Sequence, residues 1–540
     1  MKFTRFPQFA LFNLSLLLIP IGFPVFAENL SPVNDSLLII DSVEINSENV
    51  FELDSPAHNN FLFRLANSCH IVTRRSVVVR ELLLRQGHPY DSALANESER
   101  NLRSLPYLLK TEIFMKRGGN GDNILVVNTS DRWTTTGGVS LHRSGGRSDL
   151  QIGLEENNFL GYGLFMSHDY FILEDDHNFY QFEIRDNRFL GRKLMTGFLY
   201  SDNPRSGRLV ARAGKPFYSL KQQWAGQIDY ARILRRNDYP LDSFIAARDR
   251  LRAQELHLLG IYRVGQPHMK YHFGLAYAYK DIRANDRKFM IADTNSQDLN
   301  LPPLAGDSII NYLEASIRFQ QNNYHKYSRL NRFHKPEDIN LGLDARISFG
   351  EAFLADNARY QYLQSRINYI FGWEEILIIN AVSGEGWYSA GQRMRTVASA
   401  SMKTYWKYRH NQTLVFGLRF RSDRLKNRSQ TTYLDEDRGL RGYPLYHAGG
   451  EDRLIINIEN RFFSDVEILT VGLGGVIFAD IGNIWSRDSE ILLRDTHSAI
   501  GIGLRLGTSR SSQAEIIRID LAYAVSLQNW QISFGTGQFF

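Results

Sequence analysis

Residues of the types used in catalysis and metal binding are present in this sequence, but their spacing matches no catalytic pattern. There is no His-Glu-x-x-His zinc motif, no phosphate-binding loop of the Walker type and no Gly-x-Ser-x-Gly nucleophile elbow. The 14 histidines are scattered without metal-ligand spacing. The glycine clusters 472–475 and 501–503 lie within strand patterns and open no helix, which favours sheet curvature or a close approach over nucleotide binding. We therefore expect no enzyme activity, no catalytic residue, no cofactor and no metal.

Composition excludes some classes of protein and leaves others open. The 540 residues carry 63 basic and 58 acidic side chains, a net charge of +5, without the long basic run that tracks a nucleic-acid backbone. We expect no nucleic-acid partner. A mean hydropathy of −0.31 is low for a bundle of membrane helices but compatible with a transmembrane barrel, whose strands alternate apolar and polar residues. The single cysteine, Cys69, excludes an intrachain disulfide, and we predict that it is buried near a helix.

Residues 1–27 have the pattern of a secretory signal peptide. Lys2 and Arg5 precede an apolar core from Phe9 to Phe23, and small residues end the segment at Ala27. A linker is expected over 28–35. No later segment approaches the roughly 20 uncharged apolar residues that a spanning helix needs. If the chain lies in a membrane, it must therefore cross it as a β-barrel.

Residues 36–130 differ from the rest of the chain because they contain helix-period patterns. A strand is predicted over Leu37–Ile45, a first helix begins after Thr73 as its N-cap, and a second covers Asp91–Leu105. Two strands follow, over Thr111–Lys116 and Ile124–Asn128, joined by a glycine-rich turn. The sequence thus predicts a small α+β domain with the order β-α-α-β-β.

From residue 131 to 540 the pattern changes to short runs of period two separated by Asn, Asp, Gly, Pro and Ser. In Lys270–Tyr279 every second residue, beginning at Tyr271, is large and apolar, while the intervening ones are small or polar. Roughly twenty such runs are present, which is typical of a transmembrane antiparallel barrel. Other clear runs are Tyr180–Ile184, Leu414–Phe420, Ile455–Phe463 and Ile516–Ala524.

Several short motifs in this β region resemble those of the BamA/TamA superfamily of outer-membrane assembly factors. Gly439-Leu440-Arg441-Gly442-Tyr443 is similar to the superfamily's R-G-F/Y loop, and Asn457–Phe463 to the strand that follows it. Phe478–Trp485 resembles the F-x-D-x-G strand, which contains Asp480 and Gly482, and Ile500–Arg505 the G-x-G-x-R region. Glu155–Gly163 resembles the stretch after the first strand. The end of the chain is similar to the terminal β-signal, whose matching residues are Trp530, Phe534, Gly537 and Phe540.

Residues 36–130 resemble a POTRA unit, the periplasmic domain that adjoins the barrel in these proteins. The resemblance implies an outer-membrane location with this unit in the periplasm, and a barrel of sixteen strands, while the count of runs allows up to twenty. Family members carry several such units, whereas this chain has one. A β-signal near Trp530 to Phe540 and a first strand near Trp133 to His142 are expected.

The resemblance implies that the Arg441 loop folds into the barrel lumen and meets acidic groups on the wall. Asp480 and Glu459 are the matching positions, and Gly442 and Tyr443 would allow close approach and packing. A guanidinium in a confined lumen needs carboxylate partners, and a bidentate pair would hold a long loop in place. An ordinary exposed arginine is the alternative.

The function implied is insertion or assembly of outer-membrane proteins by strand templating at a seam between the first and last strands. Gly137 and Gly138 would weaken the first strand, or serve only its curvature. Expected partners are outer-membrane lipids, unfolded outer-membrane or secreted clients, and periplasmic accessory proteins on the POTRA unit, whose strand Ile124–Asn128 would offer an edge. Alternatives are a protein-translocating pore of the two-partner-secretion type and a passive porin.

Overall fold

The computed structural model describes most of the chain after the predicted leader. The described ranges are 38–54, 59–144, 147–173, 177–241, 244–289, 307–333, 336–354, 358–425, 432–444, 447–468, 470–486, 495–511 and 516–540. The predicted signal peptide (1–27) and linker (28–35) lie outside these ranges. In the part of the chain that is described, no helix is both long and apolar enough to cross a membrane.

Residues 38–131 form a small α+β unit with three helices and a three-stranded sheet. Strands β1 and β3 pair in parallel, β2 and β3 pair antiparallel, and β3 is the central strand. Apolar side chains of all three strands and of the second and third helices make one core, which includes Val78, Leu102 and Leu125. The elements are β1 (Ser42–Glu48), α1 (Phe61–Cys69), α2 (Arg75–Glu81), α3 (Ser92–Arg103), β2 (Leu108–Arg117) and β3 (Asn123–Asp131).

Three details of this unit differ from the prediction. Helix α1 is additional to the β-α-α-β-β order, and Cys69 at its end is exposed, so the prediction of a buried cysteine was wrong. Strand Ile124–Asn128 offers no free edge, because β1 and β2 cover both sides of β3. Thr73 does not cap α2: Arg74 occupies the cap position, and the Thr73 hydroxyl donates instead to buried Asp131, 2.9 Å away.

The remaining strands form a closed antiparallel barrel in chain order, except that β20 and β21 make a separate hairpin. The strands are β4 (Thr135–Ser144), β5 (Arg147–Glu156), β6 (Leu164–Ile172), β7 (Phe179–Asp186), β8 (Met195–Ser201), β9 (Arg208–Lys215), β10 (Trp224–Leu241), β11 (Phe244–Val264), β12 (Met269–Phe289), β13 (Ser308–Gln321), β14 (Asn323–Tyr327), β15 (Glu337–Leu354), β16 (Arg359–Trp373), β17 (Ile376–Ser389), β18 (Gln392–Arg409), β19 (Gln412–Leu425), β20 (Thr432–Leu434), β21 (Ala448–Gly450), β22 (Asp452–Ile468), β23 (Val471–Trp485), β24 (His497–Thr508), β25 (Ile516–Ala524) and β26 (Asn529–Thr536).

Twenty strand positions complete the barrel among the described residues. Of the twenty-one strands in its sheet, β13 and β14 are consecutive pieces that both pair with β15, and they count as one interrupted strand. The barrel closes where β26 lies beside β4. This count equals the upper value of twenty that the sequence allowed. It is larger than the sixteen strands that the resemblance implied.

The barrel has an apolar exterior, and β12 shows how the alternation produces it. Tyr271, Phe273 and Leu275 are exposed on the outer face, whereas His272 and Ala276 are buried on the inner face. The strand therefore has the predicted period of two, with the large apolar residues pointing outward. Strand β25 has the bounds Ile516–Ala524 that the sequence predicted.

Both seam strands differ in their bounds from the prediction. Strand β4 begins at Thr135, while Trp133 makes a separate parallel bridge to Ser511. Strand β26 ends at Thr536, and Gly537 adopts a positive φ of 74° that turns the following residues into the lumen. Phe540 therefore packs among lumen residues and does not share the outward face of Trp530 and Phe534, although all three positions are even-numbered.

Candidate functional site

The candidate site lies in the lumen, where the loop between β19 and β22 folds back against the inner wall. Leu434, Leu440 and Tyr443 of this loop are fully buried and pack on β22, β24 and β25. Positive φ angles at Gly439 and Gly442 make the tight turns on either side of Arg441. A Cβ at Gly442 would come within 3.2 Å of the Ala522 methyl group, so glycine permits the close approach to β25.

Arg441 is held by two carboxylates of the barrel wall. Its Nε and Nη2 donate to the two oxygens of Asp480 at 2.7 and 2.9 Å, and its Nη1 donates to Glu459 Oε1 at 2.8 Å. All three side chains have 0% exposure. The pair with Asp480 is bidentate, which gives both strength and a fixed orientation. We call Arg441, Glu459 and Asp480 the loop–wall lock.

Two aromatic rings enclose the Arg441 guanidinium. Its Cζ lies 3.4 Å from the ring centroid of Phe478 on β23 and 4.2 Å from that of Phe539, which follows β26. A delocalised guanidinium gains cation–π attraction from both faces, and more strongly where water is excluded. The loop is therefore attached to the wall strands and, through Phe539, to the segment after the last barrel strand.

The remaining residues predicted for this region support the same arrangement. The Tyr443 hydroxyl donates to the Ser498 carbonyl oxygen at 2.9 Å. Gly482 leaves room for the loop, because a Cβ there would lie 2.7 Å from Leu434 Cδ1. Asn457 joins wall and loop by donating to Asp480 Oδ1 at 2.6 Å and to the Gly439 carbonyl at 2.9 Å.

Sequence reasoning missed three further buried charges that complete the network. Arg461 Nε donates to Glu459 Oε2 at 2.8 Å, and Arg505 Nη1 donates to Asp520 Oδ1 at 2.6 Å. Asp520 also lies 3.8 Å from Arg441. Arg518 Nη1 donates to Asp520 Oδ2 at 2.9 Å as well, so four arginines and three carboxylates form one connected network. Arg461 and Arg505 lie within motifs that the sequence analysis named. Asp520 could have been found from the alternation along β25, which places every second side chain in the lumen.

A second group of residues fills the lumen at the end that carries the small unit. The Arg461 guanidinium donates to the carbonyl oxygens of Leu330 and Phe540, both at 3.0 Å. Phe540 packs with Leu330, Tyr405 and other apolar side chains of β15, β17 and β19. The loop after β14 and the segment 537–540 after β26 therefore occupy this half of the lumen, next to the lock.

The predicted C-terminal signal residues are not brought together in one place. Trp530 and Phe534 are exposed on the outer face of β26, whereas Gly537 turns the chain and Phe540 lies in the lumen. Their neighbour Phe539, which was not among the predicted residues, contacts the loop–wall lock. Within the described ranges, no group of three or more His, Cys, Asp and Glu side chains is arranged to hold a metal.

The small unit is attached to the barrel rim at widely separated points. Arg103 of α3 makes a bidentate pair with Asp338 of β15, with N–O distances of 2.9 and 3.1 Å. At the seam, Arg510 donates to the Val50 carbonyl of the unit at 3.1 Å. Because β15 and the β24–β25 turn are far apart around the barrel, the unit extends across this mouth.

A third attachment involves a buried carboxylate. Glu81 of α2 forms an ion pair with Arg188, which lies in the turn between β7 and β8, and both side chains are nearly inaccessible. Burial is the largest influence on Glu81 and raises the pKa of its carboxyl above the usual value, while the charge of Arg188 offsets only part of that effect. At this attachment the attraction of Arg188 therefore opposes burial, which favours the protonated form of Glu81.

Comparison with known proteins finds solved structures at low sequence identity. No family model and no curated protein matches the chain. Among solved structures, CdiB from Acinetobacter baumannii is 9% identical with a TM-score of 0.42, covering 93% of this chain and 74% of its own. BamA from Haemophilus ducreyi lacking POTRA domains 1–3 is 13% identical with a TM-score of 0.32, covering 93% of this chain and 83% of its own. CdiB from Escherichia coli is 11% identical with a TM-score of 0.41, covering 93% of this chain and 75% of its own. At these identities and TM-scores the matches assign no function to this chain.

Proposed function

We propose that the chain is an outer-membrane β-barrel of the BamA/TamA superfamily that promotes the insertion of other outer-membrane proteins, without covalent catalysis or a cofactor. The observation that carries this proposal is the fully buried bidentate pair between Arg441 and Asp480, completed by Glu459. A porin needs an open lumen and has no use for an arginine loop buried against one wall. The motif and its geometry together favour the assembly factor.

The exterior of the barrel supports placement in a membrane. Alternate residues on many strands are large, apolar and exposed, including Leu275 on β12, Phe349 on β15 and Ile502 on β24. Such a band would be unfavourable in water and is the surface that lipid requires. The small unit would lie in the periplasm, because the resemblance is to the periplasmic POTRA unit.

The seam between β4 and β26 is the proposed place where a client strand adds. These strands have ten and eight residues, whereas β11 and β12 have twenty-one each. A Cβ at Gly137 or Gly138 would meet no atom within 4 Å, so no close contact requires glycine there. Glycine within a strand weakens its pairing, and a weakly paired edge is a template for β-augmentation.

The loop–wall lock and the seam are coupled through the segment that follows β26. Phe539 stacks on Arg441, and the Phe540 carbonyl accepts from Arg461. Displacement of β26 away from β4 would pull both residues from their lumen partners. We infer that the lock stabilises the closed seam and that a client strand must compete with these contacts.

Protein translocation through the lumen is the second candidate, and one observation favours it. On the wall formed by β9–β15, lumen-facing ion pairs such as Arg212–Asp229 remain partly open to solvent. The lock lies against β22–β25, and Phe540 of the segment 537–540 extends to β15–β19. A translocating chain would have space along the other wall once the loop moved.

The deciding experiment measures how fast an unfolded small outer-membrane barrel folds into liposomes that contain this protein. We expect the wild type to accelerate folding over empty liposomes and Arg441→Ala to lose most of that acceleration. Arg212→Ala, which removes a lumen arginine from the opposite wall, is the matched control and should retain it.

The outcomes separate the two candidates. Acceleration that depends on Arg441 but not on Arg212 supports the insertase. A correctly folded wild-type barrel that gives no acceleration rules out a general insertase and favours the translocation pore, which is then tested by passage of a secreted client across the liposome membrane. Equal acceleration by all three proteins would remove the lock from the mechanism.

A further inference from the structure

Two turns at the end of the barrel that carries the small unit share the pattern Asn-x-Phe-Leu-Gly and the same conformation. The β5–β6 turn contains Asn157-Asn158-Phe159-Leu160-Gly161, and the β7–β8 turn contains Asn187-Arg188-Phe189-Leu190-Gly191. Both leucines have a φ of 53°, and both following glycines also have positive φ angles. In each turn the residue before phenylalanine donates its backbone N–H to the acidic residue that ends the preceding strand. We call these the twin leucine turns.

Contacts with the small unit fix the orientation of both turns. The backbone N–H of Arg74 donates to the Gly161 carbonyl at 3.0 Å, and a Cβ at Gly161 would lie 2.7 Å from the Val72 carbonyl oxygen. In the second turn, Arg188 is paired with Glu81 and lies 3.6 Å over the Tyr218 ring. The backbones of the turns are therefore held, while their leucine side chains are left uncovered.

The choice of leucine at these positions is unfavourable for a turn in water. A left-handed backbone suits Gly, Asn or Asp and is rarely adopted by a large side chain. Leu160 is 46% exposed and Leu190 is 79% exposed, and the phenylalanine beside each is exposed as well. Strain and apolar exposure occur together in both turns. An apolar environment around the side chains would account for both features. The strained backbone would then place each leucine side chain where it is buried in that environment.

The turns continue the apolar outer surface of the barrel. The first follows β5, whose outward residues Ile152 and Leu154 are exposed, and the second precedes β8, with Phe198 exposed. Cationic side chains accompany them: Arg74 lies 4.1 Å over the Tyr162 ring, and Arg192 is exposed beside the second turn. Apolar side chains bordered by arginine are the composition of surfaces that insert at a lipid headgroup layer.

We propose that the twin leucine turns insert Leu160 and Leu190, with their neighbouring phenylalanines, into the headgroup region of the periplasmic phospholipid leaflet, where Arg74 and Arg192 meet lipid phosphates. The membrane placement rests on the proposed function. The turns are bound to the small unit, so this surface holds the unit against the membrane beside β4. The small unit then keeps a fixed position relative to the seam.

The test reports the surroundings of Leu190 directly. The full chain with Cys69→Ser is folded into vesicles of phosphatidylethanolamine and phosphatidylglycerol, and Leu190→Cys is labelled with bimane. We expect quenching by lipids that carry a nitroxide near the headgroup and protection from aqueous iodide. A bimane at Asn120→Cys, on the exposed turn between β2 and β3, is the aqueous control. Leu160→Cys gives the same readout if the first variant does not fold.

A second control separates this inference from the proposed function. A bimane at Ile500→Cys, on the outer face of β24, must be quenched by lipid nitroxides placed along the acyl chain. If it is not, the membrane placement itself fails. If it is, but the label at Leu190 is quenched by iodide as strongly as the one at Asn120, the turns are aqueous and only this inference is overturned. Iodide quenching that an unfolded client abolishes would instead make the turns a client surface, and also overturns it.

Discussion

The two walls of the barrel lumen carry similar charged residues in different surroundings. On β22–β25, the side chains of Glu459, Asp480 and Asp520 are inaccessible and each is paired with arginine. On β9–β15, several lumen ion pairs are partly exposed; they include Arg212–Asp229, Glu255–Lys280 and Glu314–Arg346. The difference follows from what covers each wall, because the Arg441 loop and Phe539 lie against β22–β25.

This difference shows which wall of the lumen is more sensitive to the loss of a charged side chain. An exposed ion pair contributes little to the free energy of folding, because water solvates both charges nearly as well. A buried network cannot lose one member without leaving an uncompensated charge. The covered wall also adjoins the seam, since β25 pairs with β26. A displacement of β26 at the seam therefore disturbs the buried network on β22–β25 more directly than the ion pairs of the opposite wall.

The largest expected effect is the loss of Arg441, measured against the loss of an arginine on the open wall. Arg441→Ala leaves Asp480 and Glu459 buried without their main partner, and we expect the free energy of unfolding to fall by about 3–5 kcal/mol. Arg212→Ala removes a partly exposed pair and should cost less than about 1 kcal/mol. Urea unfolding in lipid vesicles, followed by tryptophan fluorescence, measures both. Equal losses for the two variants would contradict the contrast between the walls.

The next effect concerns Phe539, which connects the covered wall to the last strand. Phe539→Ala removes one of the two rings that enclose Arg441, worth about 0.5–2 kcal/mol for a desolvated cation–π contact. We expect faster hydrogen exchange of backbone amides in residues 432–444, because the loop loses part of its attachment.

Phe534→Ala is the matched control for this change. Phe534 precedes Phe539 by five residues but is exposed on the outer face of β26. Its removal should leave exchange in the loop unchanged. If the two variants exchange alike, the coupling between lock and seam that we infer from Phe539 is absent.

The sequence predicts the barrel and the lock for different physical reasons. Period-two patterns give strands such as β12 and β25 because a barrel wall has one face in lipid and one in the lumen. Arg441, Glu459 and Asp480 are separated by 18 and 21 positions, and only their resemblance to known motifs indicated that they meet. The structure places all three on adjoining elements, with the geometry described above.

What the sequence did not predict depends on long-range contacts or on single backbone angles. Arg103 and Asp338 are 235 positions apart, and no local pattern relates them. Phe540 has the parity of Trp530, but one positive φ at Gly537 reverses its direction. Helix α1 has only nine residues, and Asn60, whose side chain caps it, was the available signal.

The smallest expected effect is a dependence on pH at Glu81, the buried carboxylate that attaches the small unit to the barrel. Burial raises its folded-state pKa above that of the unfolded chain, so its contribution to stability is fully present below the unfolded pKa and is lost as pH rises through the folded pKa. Glu81→Gln cannot ionise. We therefore expect the stability of the wild type relative to this variant to decrease from acidic to neutral pH, as measured by urea unfolding at several pH values. An increase over the same range would mean that the charge of Arg188 outweighs burial at this site. The Glu81–Arg188 pair would then be stabilised in its charged form, as are the carboxylates of the lumen network.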